Sequence, residues 1–214
     1  SSEAMSVSVK WDGAPAVVCG TNPDNGRFFV GTKSVFAKSP KINYTKKDIA
    51  NNHGTDELGQ KLLKCLVHIK KLNIQGVVQG DLLFTDEDII RKNIEGKPHI
   101  TFTPNTITYA VPEGSDLSKQ IDRAKVGIIF HTTYNGDTLA DMTASGGADV
   151  SSFTKSNDVF FDNATYKDVS GSAKFTDEET KKFYNGIEKL ENLLNNVPRN
   201  LSSVLGQNQD FVPM

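Results

Sequence analysis

Val7 and Val9 alternate with Ser6, Ser8 and Lys10. That period of two predicts a strand carrying Lys10 on the face opposite the valines. Two short apolar runs follow, at 16–19 and 28–30, separated by Thr21-Asn-Pro-Asp-Asn-Gly26. Proline presets one turn dihedral and Asn-Gly accepts a positive φ, so the segment reads as a β-hairpin. Leu58, Leu62, Leu66 and Ile69 then recur at helical spacing, with Lys61, Lys64 and Lys70 elsewhere on the cylinder. This predicts a helix over 56–72. Residues 77–84 read as a strand and the charged stretch 85–97 as a short helix. Residues 100–111, rich in Thr, Ile, Phe and Tyr around Pro104-Asn105, predict a second hairpin. Another strand spans 125–134 and ends at Asn135-Gly136. The Gly, Ser, Asp and Asn of 135–175 predict mostly loop. Thr176-Asp-Glu-Glu179 is a capping box, and Phe183, Ile187, Leu190 and Leu194 continue it as an apolar helical stripe that Pro198 stops. Strands, helix, strands, helix is the order of an α+β fold with mostly antiparallel sheets.

Composition narrows the classes. Twelve Phe and one Trp supply enough large apolar surface for a core, which argues against wholesale disorder. The chain has 24 Lys+Arg against 26 Asp+Glu, a net charge of −2. This balance argues against a general nucleic-acid coat and leaves room for a local basic groove. No apolar run approaches the roughly 18 residues of a membrane helix, and the first residues lack a basic-then-apolar signal pattern. Cys19 and Cys65 stand without CxxC or Cys/His spacing, which excludes a zinc site of their own and suits a reducing cytosol.

The candidate chemistry begins at Lys10-Trp-Asp-Gly-Ala-Pro-Ala16, a lysine at a strand end followed by an Asp-Gly turn and a second strand. This resembles motif I (KxDG) of the covalent lysine nucleotidyltransferases, the ATP-dependent DNA and RNA ligases and mRNA capping enzymes. Gly31-Thr-Lys33-Ser34 stands where the RNA-ligase branch places a basic residue beside a small polar one. Val78-Gln-Gly-Asp81-Leu-Leu-Phe84 is similar to motif III, with Asp in place of the usual Glu. Val126-Gly-Ile-Ile-Phe130-His131 resembles the strand that ends in a purine-stacking aromatic, with His in place of an Asp. The similarity covers about residues 7–134. It is closer still to a group of tailed-phage, RNA-ligase-like proteins of unassigned function. They share stretches like those at 10–16, 79–84, 102–109 and 127–134. Motif IV (an acid-Gly pair opening an apolar strand) and motif V (a strand with phosphate-binding lysines) have no counterpart after residue 134; Tyr166-Lys-Asp168 is the nearest basic piece. The phage relatives carry such motifs further downstream, so the chain is expected to be an N-terminal portion of a longer protein.

The resemblance implies an ATP-grasp-like nucleotidyltransferase domain of mostly antiparallel sheets with flanking helices. Its core would span 1–134, and 135–214 would form a loop-rich segment and helix packed on the same domain. Lys10 would attack the α-phosphorus of ATP, form a lysyl-AMP phosphoramidate and pass AMP to a nucleic-acid 5′-phosphate. A free lysine titrates near ~10.4, and Lys33 or a bound metal would lower that value. Asp12 would orient the lysine or the ribose, Gly13 would let the backbone approach the nucleotide, and Asp81 would hold Mg²⁺, directly or through water, or contact the ribose. Judged alone, Trp11 and Phe130 read as core side chains; the resemblance adds both to the nucleotide pocket, Phe130 as the adenine stack. Lys33 reads equally as an edge lysine that discourages aggregation. Lys38, Lys41, Lys46 and Lys47 either steer a phosphate backbone or form a solvated face. RNA, DNA and protein acceptors all remain open, as does a GTP-preferring variant. The expected location is the cytoplasm, that of the host for a phage protein. The rival reading is a catalytically inactive nucleotide- or nucleic-acid-binding phage protein on the same fold. Gly26 to Ser34 comes near a P-loop, but it has an extra residue and a Phe-Phe-Val middle that reads as a strand, so that motif is rejected.

Overall fold

A computed structural model describes residues 10–164 and Lys189. By internal contacts the chain divides into two units, 1–166 and 167–214, and residues 10–164 all lie in the first. The strand expected around Val7 and Val9 and the capped helix of 176–198 lie outside the described residues, apart from Lys189, which is helical.

The Asn-Gly turn forms as its chemistry requires. Gly26 adopts φ 69°, and its N–H donates to the Asn22 carbonyl at 2.8 Å. This turn joins β1 (Ala16–Thr21) and β2 (Phe28–Gly31) as an antiparallel pair. A short 3₁₀ turn, Lys33–Phe36, follows. The helix α1 (Lys46–His53) starts at a capping box in which Thr45 and Asp48 exchange side-chain-to-backbone hydrogen bonds. The helix α2 (Glu57–Ile69) buries Leu62, Cys65, Leu66 and Ile69, spaced to form one stripe.

The strand β3 (Val77–Thr85) enters the centre of the sheet. The segment expected to be helical over 85–97 holds only a 3₁₀ turn at Asp86–Asp88 and then β4 (Ile90–Ile94). All five β4 residues are exposed, so no apolar alternation marks it as a strand; the ladder to β5 (Lys97–Phe102) holds it. β5 turns into β6 (Tyr109–Pro112), the expected second hairpin. These three strands form a small separate sheet. The helix α3 (Asp116–Arg123) leads to β7 (Val126–Asn135). The expected loop after residue 135 contains two further strands, β8 (Thr143–Gly146) and β9 (Val159–Asn163). Both pair with β7 on the side away from β3, and β9 runs parallel to it.

The large sheet has the order β2-β1-β3-β7-β8, so the fold is α+β and mostly antiparallel. One face carries Val17, Cys19, Val30, Val78, Leu82, Val126, Ile128 and Phe130 and packs on α1 and α2. The other face carries two separate apolar clusters. One gathers Val18, Phe29, Val77, Val35 and Leu139; the second gathers Leu83, Phe84 and Ile129 with Ile100, Phe102 and Ile121 from the small sheet and α3. Alternation along β3 puts Gln79 and Asp81 on this second face, between Val77 and Leu83. A polar strip therefore separates the two clusters.

Candidate functional site

The lysine-bearing segment runs over that polar strip. The Ala14 N–H donates to the Leu82 carbonyl at 3.0 Å and the Leu82 N–H donates to the Pro15 carbonyl at 3.0 Å. Gly13 is pressed against β3: a Cβ built on it would lie 2.5 Å from Asp81 Cβ and 3.0 Å from the Leu82 carbonyl oxygen. Only glycine permits this approach without displacing the strand. Lys10, three residues before Gly13, is exposed and forms no ion pair among the described residues.

Asp12 is held by the turn between β5 and β6. Its Oδ2 accepts from the Ile107 N–H at 2.7 Å, the Thr106 N–H at 2.7 Å and the Thr106 hydroxyl at 2.9 Å. Its Oδ1 accepts from the Asn105 amide at 3.0 Å. The Ile107 and Thr106 N–H groups, aided by the Thr106 hydroxyl, hold the carboxyl down to about 2. The Asp12 N–H donates to the Tyr109 hydroxyl at 2.9 Å, and the Tyr109 ring packs on Trp11 with centroids 5.4 Å apart. The orienting role expected of Asp12 toward lysine or ribose gives way to a different one. Its carboxylate is occupied by residues 105–107 and fixes the course of the backbone between Lys10 and Gly13. Trp11 is half-buried beside the second cluster, between core and surface.

Asp81 and His131 meet on neighbouring strands, Asp81 Oδ1 and His131 Nε2 lying 3.3 Å apart, with side chains 23% and 28% exposed. Gln79 pairs with Thr132 and Gly80 with Phe130, so His131 is the extra residue of a bulge on β7. Bulges re-aim side chains and are frequent beside active sites. Gly80 faces the bulge: a Cβ there would lie 2.6 Å from the Ile129 carbonyl oxygen. The Gly-Asp pair thus has a steric cause as well as a chemical one. The strip is closed on the other side by Gln79, which accepts from the Tyr134 hydroxyl at 2.7 Å.

Phe130 does not join this group. It is 0% exposed and lies in the helix-side core, edge-on to Phe153 with centroids 5.4 Å apart. No face of the ring is open to a purine; His131, not Phe130, lies beside Asp81. Lys33 is exposed and opens the 3₁₀ turn rather than extending a strand. It leaves the sheet at the end where Gly31 faces Val18, beside the start of β1 and its pairing of Ala16 with Asp81. The structure therefore brings together the segment of Lys10, Trp11, Asp12 and Gly13 with Asp81. It adds His131, Asn105, Thr106 and Tyr109, and it leaves Phe130 out. The last three of those additions come from the stretch 102–109.

Asp81 suits a magnesium ion of the kind that takes one protein carboxylate and completes its shell with phosphate oxygens and water. Its side chain is partly exposed, and no cluster of three or more His, Cys, Asp or Glu forms a cage among the described residues. No helix among them is long and apolar enough to cross a membrane.

No curated protein and no solved structure matches the chain. A family model does match, over residues 1–212, and the chain belongs to that family of unknown function, DUF6267.

Proposed function

We propose that this chain is an ATP-grasp-like nucleotidyltransferase of the polynucleotide-ligase type, with Lys10 as the nucleophile. The contact between Gly13 and Asp81 carries the reading: it lays the segment that begins with Lys10 against the strand bearing the only carboxylate of the polar strip. The four stretches shared with the phage proteins supply the parts of this arrangement. The first holds Lys10, Asp12 and Gly13; the second supplies Asp81; the third clamps Asp12; the fourth supplies His131.

In the first step Lys10 Nζ loses its proton to solvent and attacks the α-phosphorus of ATP. A P–N bond forms, the bond from the α-phosphorus to the bridging oxygen breaks, and pyrophosphate leaves with that electron pair. In the second step a nucleic-acid 5′-phosphate oxygen attacks the same phosphorus and the lysine amine leaves. Asp81 would hold a divalent cation, which would supply charge neutralisation of the phosphates. Asp12 acts by positioning, because its oxygens already accept four hydrogen bonds. Trp11, on the Tyr109 ring, and Lys33, exposed at the start of the 3₁₀ turn, are the ring and the cation that would meet a base and a phosphate.

The test is covalent labelling. Incubation with α-labelled ATP or GTP and a divalent cation is expected to leave label on the denatured protein. That label is released by acid and absent from Lys10→Ala. A second reading, a nucleotide- or nucleic-acid-binding protein without catalysis, draws on the enclosure of Phe130, which removes the expected stacking ring. Nucleotide binding with no covalent label in the full chain favours it and overturns the first.

A further inference from the structure

His131 makes two polar contacts. Its Nδ1 lies 2.8 Å from the Thr132 hydroxyl oxygen, and its Nε2 lies 3.3 Å from Asp81 Oδ1. In the tautomer whose Nδ1–H donates to the Thr132 hydroxyl, Nε2 turns a lone pair toward the carboxylate oxygen; in the other, Thr132 donates to Nδ1 and Nε2–H faces Asp81. The first tautomer leaves two acceptors at a separation that a cation can bridge. Metal-binding histidines are held in this way, with the second ring nitrogen fixed by a hydrogen bond. Two ligands at right angles on an octahedral ion, each about 2.1 Å from the metal, are themselves about 3 Å apart. The gap between Asp81 and His131 is close to that bite.

The position of the pair adds a second argument. His131 lies on the face of β7 that carries Ile129, the partner of Asp81, and stands in the bulge that follows Phe130. Both side chains keep about a quarter of their surface open to solvent, so a bound ion has room for further ligands.

We propose that Asp81 and His131 together ligate a divalent first-row transition metal, with phosphate oxygens of the nucleotide completing its shell. Imidazole nitrogen discriminates against Mg²⁺, which prefers an all-oxygen shell, and favours ions later in the first transition series. The nucleotide part of this inference rests on the nucleotidyltransferase reading; the two protein ligands do not.

Mn²⁺ without nucleotide is the probe. Added below stoichiometry to the full chain, it is expected to broaden the ring proton signals of His131 while those of His53, His68 and His99 stay sharp. Displacement by Mg²⁺ is expected to need about a ten-fold excess or more. Asp81→Asn is expected to abolish the selective broadening with the other histidine signals unmoved, which shows the fold intact. His131 signals that stay sharp, broaden together with the other three, or recover at equimolar Mg²⁺ overturn the site; the pair is then a direct histidine–carboxylate contact without a metal. Selective broadening without lysine labelling keeps the metal site and removes the enzyme. Labelling without selective broadening does the reverse.

Discussion

The Ile107 N–H donates to Asp12 Oδ2 at 2.7 Å, joining two residues 95 positions apart in the chain. With Thr106 and Asn105 it makes Asp12 the tie between the lysine segment and the small sheet.

That tie titrates in a defined direction. The folded carboxyl is held at about 2 against an ordinary 3.8. A carboxyl lowered on folding contributes stability above its unfolded value and loses it as the pH falls through the folded one. The clamp is therefore complete above about pH 4 and released toward pH 2. The Thr106 and Ile107 amide shifts are expected to move with a midpoint near the lower value; a midpoint near 4 means the carboxylate is free. In Asp12→Ala at neutral pH, Trp11, the only tryptophan, is expected to become more exposed by fluorescence. Lysine labelling is expected to fall about 10²-fold, the effect of a misplacement of about 1 Å.

Gly13→Ala tests the same geometry from the other side. The new Cβ meets Asp81 Cβ and the Leu82 carbonyl, both anchored in the central strand. Overpacking of this kind costs about 1–3 kcal/mol, read as a lower denaturation midpoint. Lysine labelling is expected to fall further than stability alone explains, because the segment lifts away from Asp81. A Gly13→Ala protein of unchanged midpoint and labelling refutes the contact.

Local chemistry made part of this fold readable. The Asn25-Gly26 turn set the β1–β2 hairpin, and the stripe Leu62, Leu66, Ile69 set α2, because each signal lies within a few residues. β4 escaped because a strand exposed on all five residues carries no alternation. β9 escaped because its Val159-Phe-Phe161 lies in a polar stretch and is held by β7, where Val126 pairs with Val159. At the site, Lys10, Asp12, Gly13 and Asp81 were visible as motifs. The partners of Asp12 were not, since nothing local in 105–107 points to residue 12. Phe130 follows the alternation that puts Val126 and Ile128 in the helix-side core, whereas the one-residue bulge after it, which brings His131 and Thr132 past Gln79 and Asp81, has no local signal.

The two cysteines offer an independent check on the core. Cys19 and Cys65 are both free and fully buried, on β1 and α2 within one cluster. Burial pushes both thiols up, Cys65 to about 12, so almost no thiolate exists at neutral pH. A thiol reagent is expected to leave the native chain unmodified and to react with two thiols once denaturant unfolds it. Fast reaction of either cysteine under native conditions contradicts the packing of α2 on the sheet.

Phe130→Leu separates a core role from a nucleotide-stacking role. Phe130 touches Phe153 across the helix-side core and shows no surface. Exchanging one large apolar side chain for another of similar volume costs about 1 kcal/mol, so a modest drop in unfolding midpoint is expected. Because the ring faces away from Asp81, the ATP concentration that half-saturates lysine labelling is expected to stay the same. A stacking residue behaves in the opposite way: its loss weakens nucleotide binding and leaves the midpoint in place. If Phe130→Leu raises the half-saturating ATP concentration several-fold with stability unchanged, β7 takes a different register in the nucleotide-bound protein. The bulge at His131 would then be the element that shifts, because moving that one extra residue exchanges Phe130 and His131 between the two faces of the sheet.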